Sequence, residues 1–356
     1  MAYDFFPKSS SEVEQKLTKT GWSEAKVKDA VALFQYLARK NPTPINIDLK
    51  VPGKLNVNRA LQVDMSIKDI MKSADISSFT LKFGNGSSGN RGANNKGNAY
   101  EGVFNTALND WWAGRPEWQK NSKDAKAIED LAKEYDLANA KTFRTDIMGG
   151  ENTRRPLQFG SKITLANPKG KGYDVGKSVT DITLTTDKEE VFLSLKLGNT
   201  TTFFNVGVKT ILTKKEILEG DIKNANGKKL LALFGIDPQR FCGIFNGDKA
   251  SAGKVKVSKY DKSGLQELLM SGIGFNYHVI HKLAGKTISK KMDKKAMKAA
   301  ANISGGIELE YGGKTGSGKR VNIVFNTKTY VFQLNIRDTQ GTDGYPTRLM
   351  CDFKYR

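Results

Sequence analysis

The chain has 356 residues, with 57 lysines and arginines against 37 acidic residues, which gives a net charge of +20 and a pI near 9.7. It has 38% hydrophobic residues, enough for a core, but no apolar run of about eighteen residues that could span a bilayer. The start of the sequence lacks the order of a signal peptide. Cys242 and Cys351 are too few for a disulfide framework or a cysteine-rich zinc site. We therefore expect a protein of a reducing, cytoplasmic compartment that has no membrane partner and binds a polyanion.

The pattern of apolar residues predicts helices and strands that alternate along the chain. Glycine- and asparagine-rich residues 84–98 predict a loop, and Pro42 and Pro44 end the first helical region. In chain order we predict two helices in residues 9–40, strands at 45–49 and 79–83 around a short helix near 66–73, helices at 99–112 and 123–135, β-hairpins in 161–212, helices with basic surfaces in 214–300, and three or four antiparallel strands in 305–355.

These elements predict a mixed α/β fold. The expected organisation is a mainly helical N-terminal region, residues 1–75, followed by one α/β domain, residues 76–356, with antiparallel strands at its C-terminal end. Residues 214–300 could instead form a separate basic helical subdomain.

Two glycine motifs resemble nucleotide-binding loops but lack the required context. Gly84, Gly86 and Gly89 match the spacing of a dinucleotide-binding turn, yet about ten loop residues separate them from the next helix. Residues 313–319 match the start of a P-loop, but Arg320 stands where a Mg²⁺-binding serine or threonine is needed, and a strand follows. We expect a loop at the first motif and a hairpin turn at the second.

The segment 178–198 predicts a β-hairpin that brings an acid and a lysine together. Asp181 alternates with apolar residues on the first strand, while Ser194 and Lys196 alternate with apolar residues on the second. A two-residue turn at 187–188 would place Asp181 opposite Ser194, and a four-residue turn would place it opposite Lys196. In either register all three share one face, about 5 Å from a cross-strand neighbour. Charged groups within a sheet are costly unless they have a function.

This hairpin resembles that of the PD-(D/E)XK nucleases, the restriction-endonuclease-like superfamily. The resemblance covers about 100 residues and implies that Asp181 is a metal ligand and Lys196 the catalytic lysine. Residues 98–104 look like the upstream helix whose glutamate completes the metal site, which makes Glu101 the third candidate. The resemblance implies a core sheet flanked by helices and Mg²⁺ or Mn²⁺ as the cofactor.

Ser194 departs from the family pattern, because an acid is expected at that position. Glu190 lies on the same face but about 13 Å away along the strand, at about 3.3 Å per residue. The metal site would therefore depend on Asp181, Glu101 and the carbonyl of Leu195, together with water, and Mg²⁺ tolerates so few protein ligands. Ser194 itself is a candidate catalytic residue of a variant Ser-x-Lys motif.

Several further residues are candidates for binding phosphates. Small polar side chains follow the hairpin, arginines lie in the loop near 149–156, and lysines crowd a helix predicted at 289–301. The alternatives are ordinary turns and solvated surfaces. His278 and His281 are predicted on one helix face, where a metal pair is an alternative to packing. The candidate nucleic-acid-binding residues are Arg154, Arg155, Asn199, Thr200, Lys290, Lys291, Lys294 and Lys295.

The resemblance and the charge together predict a Mg²⁺-dependent deoxyribonuclease, with endonuclease action favoured and an origin in a phage or mobile element. Its partner would be double-stranded DNA, and it could act as a homodimer or with virion components. The alternative, favoured by Ser194, is a basic DNA-binding or virion-associated structural protein on a nuclease-like fold without activity. A site-specific restriction enzyme would also need base-reading elements, and we identify none in the sequence.

Overall fold

The computed structural model describes residues 96–147, 155–199, 201–312, 319–338 and 344–356, with three short strands and isolated helical positions nearer the N-terminus. Within this part the chain is a mixed α/β protein, as predicted. It divides into two compact units that are interleaved in sequence. The first comprises residues 1–151, 179–197 and 278–290, and the second residues 152–178, 198–277 and 291–356. The predicted boundary after residue 75 and the motif at 84–89 lie outside the described residues.

Three short strands near the N-terminus form an antiparallel sheet in the order β1-β2-β3. The strand predictions at 45–49 and 79–83 are confirmed, whereas the first strand was not predicted. The described positions between residues 11 and 31 are helical, in agreement with the helices predicted there. The strands are β1 (Ala2–Phe5), β2 (Ile45–Lys50) and β3 (Thr80–Phe83).

A mixed five-stranded sheet forms the centre of the first unit. Its third and fourth strands make the antiparallel hairpin predicted in residues 178–198, and the strand beside them runs parallel to the second strand of that hairpin. The sheet order is β12-β11-β8-β7-β4. Its strands are β4 (Phe143–Asp146), β7 (Ile182–Thr186), β8 (Glu190–Leu197), β11 (Tyr277–Lys282) and β12 (Thr287–Met292).

Two helices, α1 (Lys96–Trp112) and α2 (Ser122–Glu134), pack against the apolar face of this sheet. Both lie within three residues of the predicted limits. Helix α2 begins after Asn121, whose side chain accepts hydrogen bonds from two backbone N–H groups of the first turn. Helix α1 places apolar side chains at four-residue spacing on one side, as an amphipathic helix requires. The shared core includes Tyr100, Phe104, Leu108, Ile128, Leu131, Ile182, Leu193 and Ile280.

A six-stranded antiparallel sheet dominates the second unit, in the order β10-β13-β14-β15-β16-β9. It contains the antiparallel strands predicted in 305–355, of which there are four. A small hairpin of β5 (Leu157–Phe159) and β6 (Ile163–Leu165) belongs to the same unit. The six strands are β9 (Thr201–Gly207), β10 (Gly253–Val257), β13 (Ile303–Tyr311), β14 (Arg320–Thr327), β15 (Tyr330–Arg337) and β16 (Arg348–Tyr355).

The prediction that residues 214–300 are helical is wrong in part. Helices occupy much of the segment, but β10, β11 and β12 also lie in it, so two sheets draw strands from it. The helices of the remaining chain are α3 (Gly176–Val179), α4 (Lys214–Leu218), α5 (Ala225–Phe234), α6 (Pro238–Asn246), α7 (Lys262–Ile273) and α8 (Lys294–Ala301).

The glycine motif at 313–319 joins two paired strands, as predicted. Tyr311 at the end of β13 pairs with Val321 on β14, and the Gly312 N–H donates to the Arg320 carbonyl at 2.8 Å. A strand therefore follows the motif where a P-loop needs the N-terminus of a helix.

Candidate active site

The β7–β8 hairpin adopts the two-residue-turn register of the two that the sequence allowed. Ile182 pairs with Leu193, which places Asp181 opposite Ser194, and the Asp181 N–H donates to the Leu193 carbonyl at 2.7 Å. The turn closes with a hydrogen bond of 3.0 Å from the Thr186 N–H to the Glu189 carbonyl. Asp181, Ser194 and Lys196 therefore share one face of the sheet, opposite the face that packs on α1 and α2.

The Asp181 carboxylate is held by the strand that carries the lysine. Its Oδ2 atom accepts a hydrogen bond from the Leu195 N–H at 2.7 Å and a longer one from the Ser194 hydroxyl at 3.4 Å. Burial raises the pKa of Asp181, while Lys196 and these two hydrogen bonds oppose the rise. One carboxylate oxygen is thus fixed by the protein, which orients the other.

Glu101 on α1 is electrostatically coupled to both residues of the hairpin. Burial raises its pKa to about 7, the charge of Asp181 adds to the rise, and Lys196 lowers it. Glu101 therefore lies within electrostatic range of one carboxyl group and one ammonium group of the hairpin. A pair of carboxylates that repel each other in a partly buried site is typical of functional sites.

Ser194 occupies the position where the resembled family has an acid. Its side chain is buried, with 1% of the residue exposed, and its hydroxyl donates to Asp181. In the described ranges, no group of three or more His, Cys, Asp or Glu side chains is arranged to hold a metal ion. The carboxylate in hydrogen-bond contact with Ser194 is that of Asp181.

A histidine that the sequence analysis did not place at this site lies beside the lysine. Strand β11 runs parallel to β8, with His281 level with Lys196 and Val279 level with Ser194, so these side chains point to the same face. His281 is fully buried. The prediction that His278 and His281 share a helix face is wrong, because three residues along a strand place them on opposite faces.

A buried ionic network holds the helix of Glu101 against the sheet. Asp124 on α2 accepts hydrogen bonds from the Lys282 ammonium at 2.6 Å, from Thr287 at 2.9 Å and from the Tyr100 hydroxyl at 3.1 Å. The Lys282 ammonium also lies 4.8 Å from the centre of the Tyr100 ring. Tyr100 directly precedes Glu101, so the network fixes the part of the α1 backbone that carries Glu101.

The predicted phosphate-binding residues are dispersed. Arg154 and Thr200 lie outside the described residues, and Asn199 is exposed in the turn after β8. The four lysines do not share a helix as predicted: Lys290 and Lys291 lie on β12, whereas Lys294 and Lys295 lie on α8. The reason is that the helix begins at an aspartate cap, Asp293, whose side chain accepts from the backbone of the first turn.

Arg155 binds the protein itself. Its guanidinium donates hydrogen bonds to the carbonyls of Ser271 and Gly272, which close the C-terminal turn of α7. Burial lowers its pKa to about 10. The last carbonyl groups of a helix have no backbone N–H donor within the helix, and a cation at the C-terminus stabilises them. This arginine therefore has a structural role in the described structure.

Comparisons of the chain with protein-family models, with curated proteins and with solved structures give no significant match. None of the described helices is both long and apolar enough to cross a membrane.

Proposed function

We propose that this protein is a metal-dependent nuclease that hydrolyses phosphodiester bonds of DNA. The observation that carries the proposal is the β7–β8 pairing, which places Asp181 opposite Ser194 and on the same sheet face as Lys196, with Glu101 on α1 within electrostatic range of both charged groups. The hairpin pairing, the upstream helix with its glutamate and the five-stranded sheet covered by helices support the resemblance to PD-(D/E)XK nucleases. The net charge of +20 favours a polyanionic substrate.

The donor set fits a hard divalent cation. Asp181 and Glu101 would hold Mg²⁺ or Mn²⁺ through carboxylate oxygens and Leu195 through its carbonyl, and Mg²⁺ is commonly bound by one or two carboxylates plus substrate phosphate and water. When bound, the cation polarises the scissile phosphate and lowers the pKa of a coordinated water. Lys196 would place its ammonium group against the negative charge that develops on the phosphate. The Leu195 N–H keeps the Asp181 carboxylate oriented.

The first prediction concerns cleavage of DNA. Asp181→Asn and Lys196→Gln should each lower the rate of Mg²⁺- or Mn²⁺-dependent cleavage about a hundredfold, because each removes a charge from the reacting centre. Circular and linear duplex DNA, with single-stranded DNA alongside, are incubated with wild type and variants in each metal and in EDTA. Cutting of the circle would identify an endonuclease.

Lys188→Gln is the matched control for Lys196→Gln, because Lys188 lies in the turn of the same hairpin, where its ammonium group pairs with exposed Asp136. It should cleave like wild type. Folded Asp181 and Lys196 variants that cut at the wild-type rate would place the reaction elsewhere or in a contaminant. Wild-type protein that binds DNA tightly but does not cut it in the presence of either metal would instead support the non-catalytic DNA-binding alternative.

Ser194 is the observation that favours that alternative, and it allows a second prediction. Ser194→Asp should lower the Mg²⁺ concentration needed for half of the metal-induced rise in Tm by about tenfold, because a third carboxylate adds to the donor set. The variant should also be less stable than wild type in EDTA, since a buried charge is added beside Asp181. Thermal unfolding at a series of Mg²⁺ concentrations measures both effects. An unchanged Mg²⁺ dependence would argue against a metal at this site.

A further inference from the structure

The outer face of the six-stranded sheet carries a row of three arginines. Arg320 on β14 pairs directly with Arg337 on β15, and Arg337 pairs directly with Arg348 on β16. Residues opposite each other in an antiparallel pair point to the same face, so the three side chains stand side by side with Cβ atoms about 5 Å apart. We call these three residues the arginine row.

This face is distinct from the one that packs into the core of the unit. Along each strand, the residues on the same face as the arginine are partly exposed or polar, whereas the residues on the other face are buried. The inward-facing set includes Val321, Ile323, Leu334, Ile336, Leu349 and Cys351, none of which is exposed. The arginine row therefore lies on the face of the sheet opposite this apolar set, and all three arginines are partly exposed there.

Two lysines extend the positive charge at this end of the sheet. The ammonium groups of Lys214 and Lys319 lie 5.2 Å and 5.3 Å from the centre of the Tyr345 ring, and Lys319 directly precedes Arg320. Asp338, which follows Arg337, accepts hydrogen bonds from the Gly344 N–H and the Thr347 hydroxyl. Two cationic side chains and an aromatic ring thus lie together next to the strand end that begins with Arg320.

Like charges directly opposite each other destabilise a sheet, so the arginine row is costly without an anion. Among the described residues, no carboxylate pairs with Arg337 or Arg348. Arg337 donates to the sulfur of Met350 at 3.1 Å, a weak acceptor. Asp352 is on the same face but four residues beyond Arg348, about 13 Å along the strand. In the described part of the chain, Arg337 and Arg348 therefore have no carboxylate to neutralise them.

Beside the arginine row the same face carries a ladder of amides. Asn322 pairs with Asn335 across β14 and β15, and each is only 4% exposed. Their Nδ2 atoms donate to Glu310 and to Asp352, both at 3.0 Å. Their Oδ1 atoms have no hydrogen-bond donor among the described residues, so the ladder has unused accepting capacity.

We infer that the arginine row binds the phosphate backbone of a nucleic acid. The row spans two interstrand spacings of about 4.8 Å, which is close to the axial distance between phosphates three nucleotides apart on one strand, at a rise of about 3.4 Å each. Guanidinium groups bind phosphate oxygens through paired hydrogen bonds, and the net charge of the chain has the matching sign. This inference does not depend on hydrolysis: it assigns a binding surface that either a nuclease or a non-catalytic DNA-binding protein could use.

The test is the affinity for a short fluorescent DNA duplex, measured by anisotropy in EDTA over a series of salt concentrations. Arg337→Gln with Arg348→Gln should weaken binding about tenfold or more at physiological salt and reduce the slope of log affinity against log salt by about 1.8. The matched control is Arg115→Gln with Lys133→Gln, which removes the same net charge from exposed positions in the first unit. It should leave the slope near the wild-type value.

Circular dichroism and Tm must show that both double variants are folded. Equal losses in the two variants would mean that only net charge matters, and an unchanged slope in the arginine variant would overturn the inference. Competition by a polyglutamate peptide as strong as competition by DNA would instead identify an acidic protein as the ligand, which also contradicts it. Cleavage is measured in Mg²⁺ and binding in EDTA, so loss of cleavage in the Asp181 and Lys196 variants and loss of binding in the arginine variant remain distinguishable.

Discussion

Replacing Asp124 with alanine is expected to lower the free energy of unfolding by about 3 kcal/mol. Removing one member of a buried ion pair leaves the other without its counter-charge, at a typical cost of about 3–5 kcal/mol. We expect the lower end, because the Lys282 side chain is 23% exposed whereas that of Asp124 is 2% exposed. The change also removes the acceptor of Tyr100 and Thr287. Denaturant-induced unfolding, followed by circular dichroism, measures the loss.

Helix α2 contains a matched control for this prediction. Asp130 pairs with Lys126 at 2.6 Å, but both side chains are well exposed, at 46% and 66%. Asp130→Ala should therefore cost no more than about 0.5 kcal/mol, as exposed pairs on helices do. Similar losses in the Asp124 and Asp130 variants would show that burial of the Asp124 network contributes little. That result would also remove the reason to regard the network as fixing Tyr100 beside Glu101.

The shared face of Asp181, Ser194 and Lys196 could be predicted from sequence because alternation decides it. A hairpin pairs apolar with apolar residues in either allowed register, so both turns place the three polar residues together. The register itself could not be predicted, since Asp187 and Lys188 are compatible with a two-residue turn and with the middle of a longer one. In the structure, Asp187 accepts hydrogen bonds from the backbone of Lys141 and Thr142, which come from a distant part of the chain.

Strand β11 was mistaken for a helix because it is buried on both faces. Five of its six residues are buried, so it shows no alternation, and a short apolar run of this kind fits a buried helix equally well. The error separated His281 from Lys196, which only the parallel pairing brings together. Periodicity cannot report such a pairing, because β11 follows β8 by about eighty residues.

The sequence pattern also failed to place the arginines, both for one that was predicted to bind phosphate and for three whose proximity was not predicted. Arg155 was a candidate for binding phosphate, yet it binds carbonyls of α7 more than a hundred residues away. Arg320, Arg337 and Arg348 are scattered over about thirty residues of sequence, and only the register of three strands makes them neighbours. A charge run can be recognised from sequence, but a charged surface built across strands depends on pairing that the sequence pattern leaves open.

Replacing Glu101 with glutamine is expected to stabilise the metal-free protein at high pH. Folding raises the pKa of Glu101 from its ordinary value of 4.5 to about 7, so the folded state holds this proton more tightly than the unfolded state. Protonation therefore favours the folded state below pH 4.5, and this contribution is lost as the pH rises through about 7. At pH 8 the wild type bears a penalty of up to about 3 kcal/mol that glutamine avoids.

Unfolding by denaturant in EDTA at pH 5 and pH 8 tests this prediction. The Glu101→Gln variant should have nearly the wild-type stability at pH 5 and exceed it clearly at pH 8. Glu129→Gln, at an exposed position on α2, should follow the wild type at both pH values. If Glu101 and Asp181 hold a cation as proposed, Mg²⁺ at pH 8 should narrow the difference, because it favours the ionised wild-type site. A variant no more stable than wild type at pH 8 would mean that the Glu101 carboxylate bears no such penalty, which would remove a main electrostatic argument for this site.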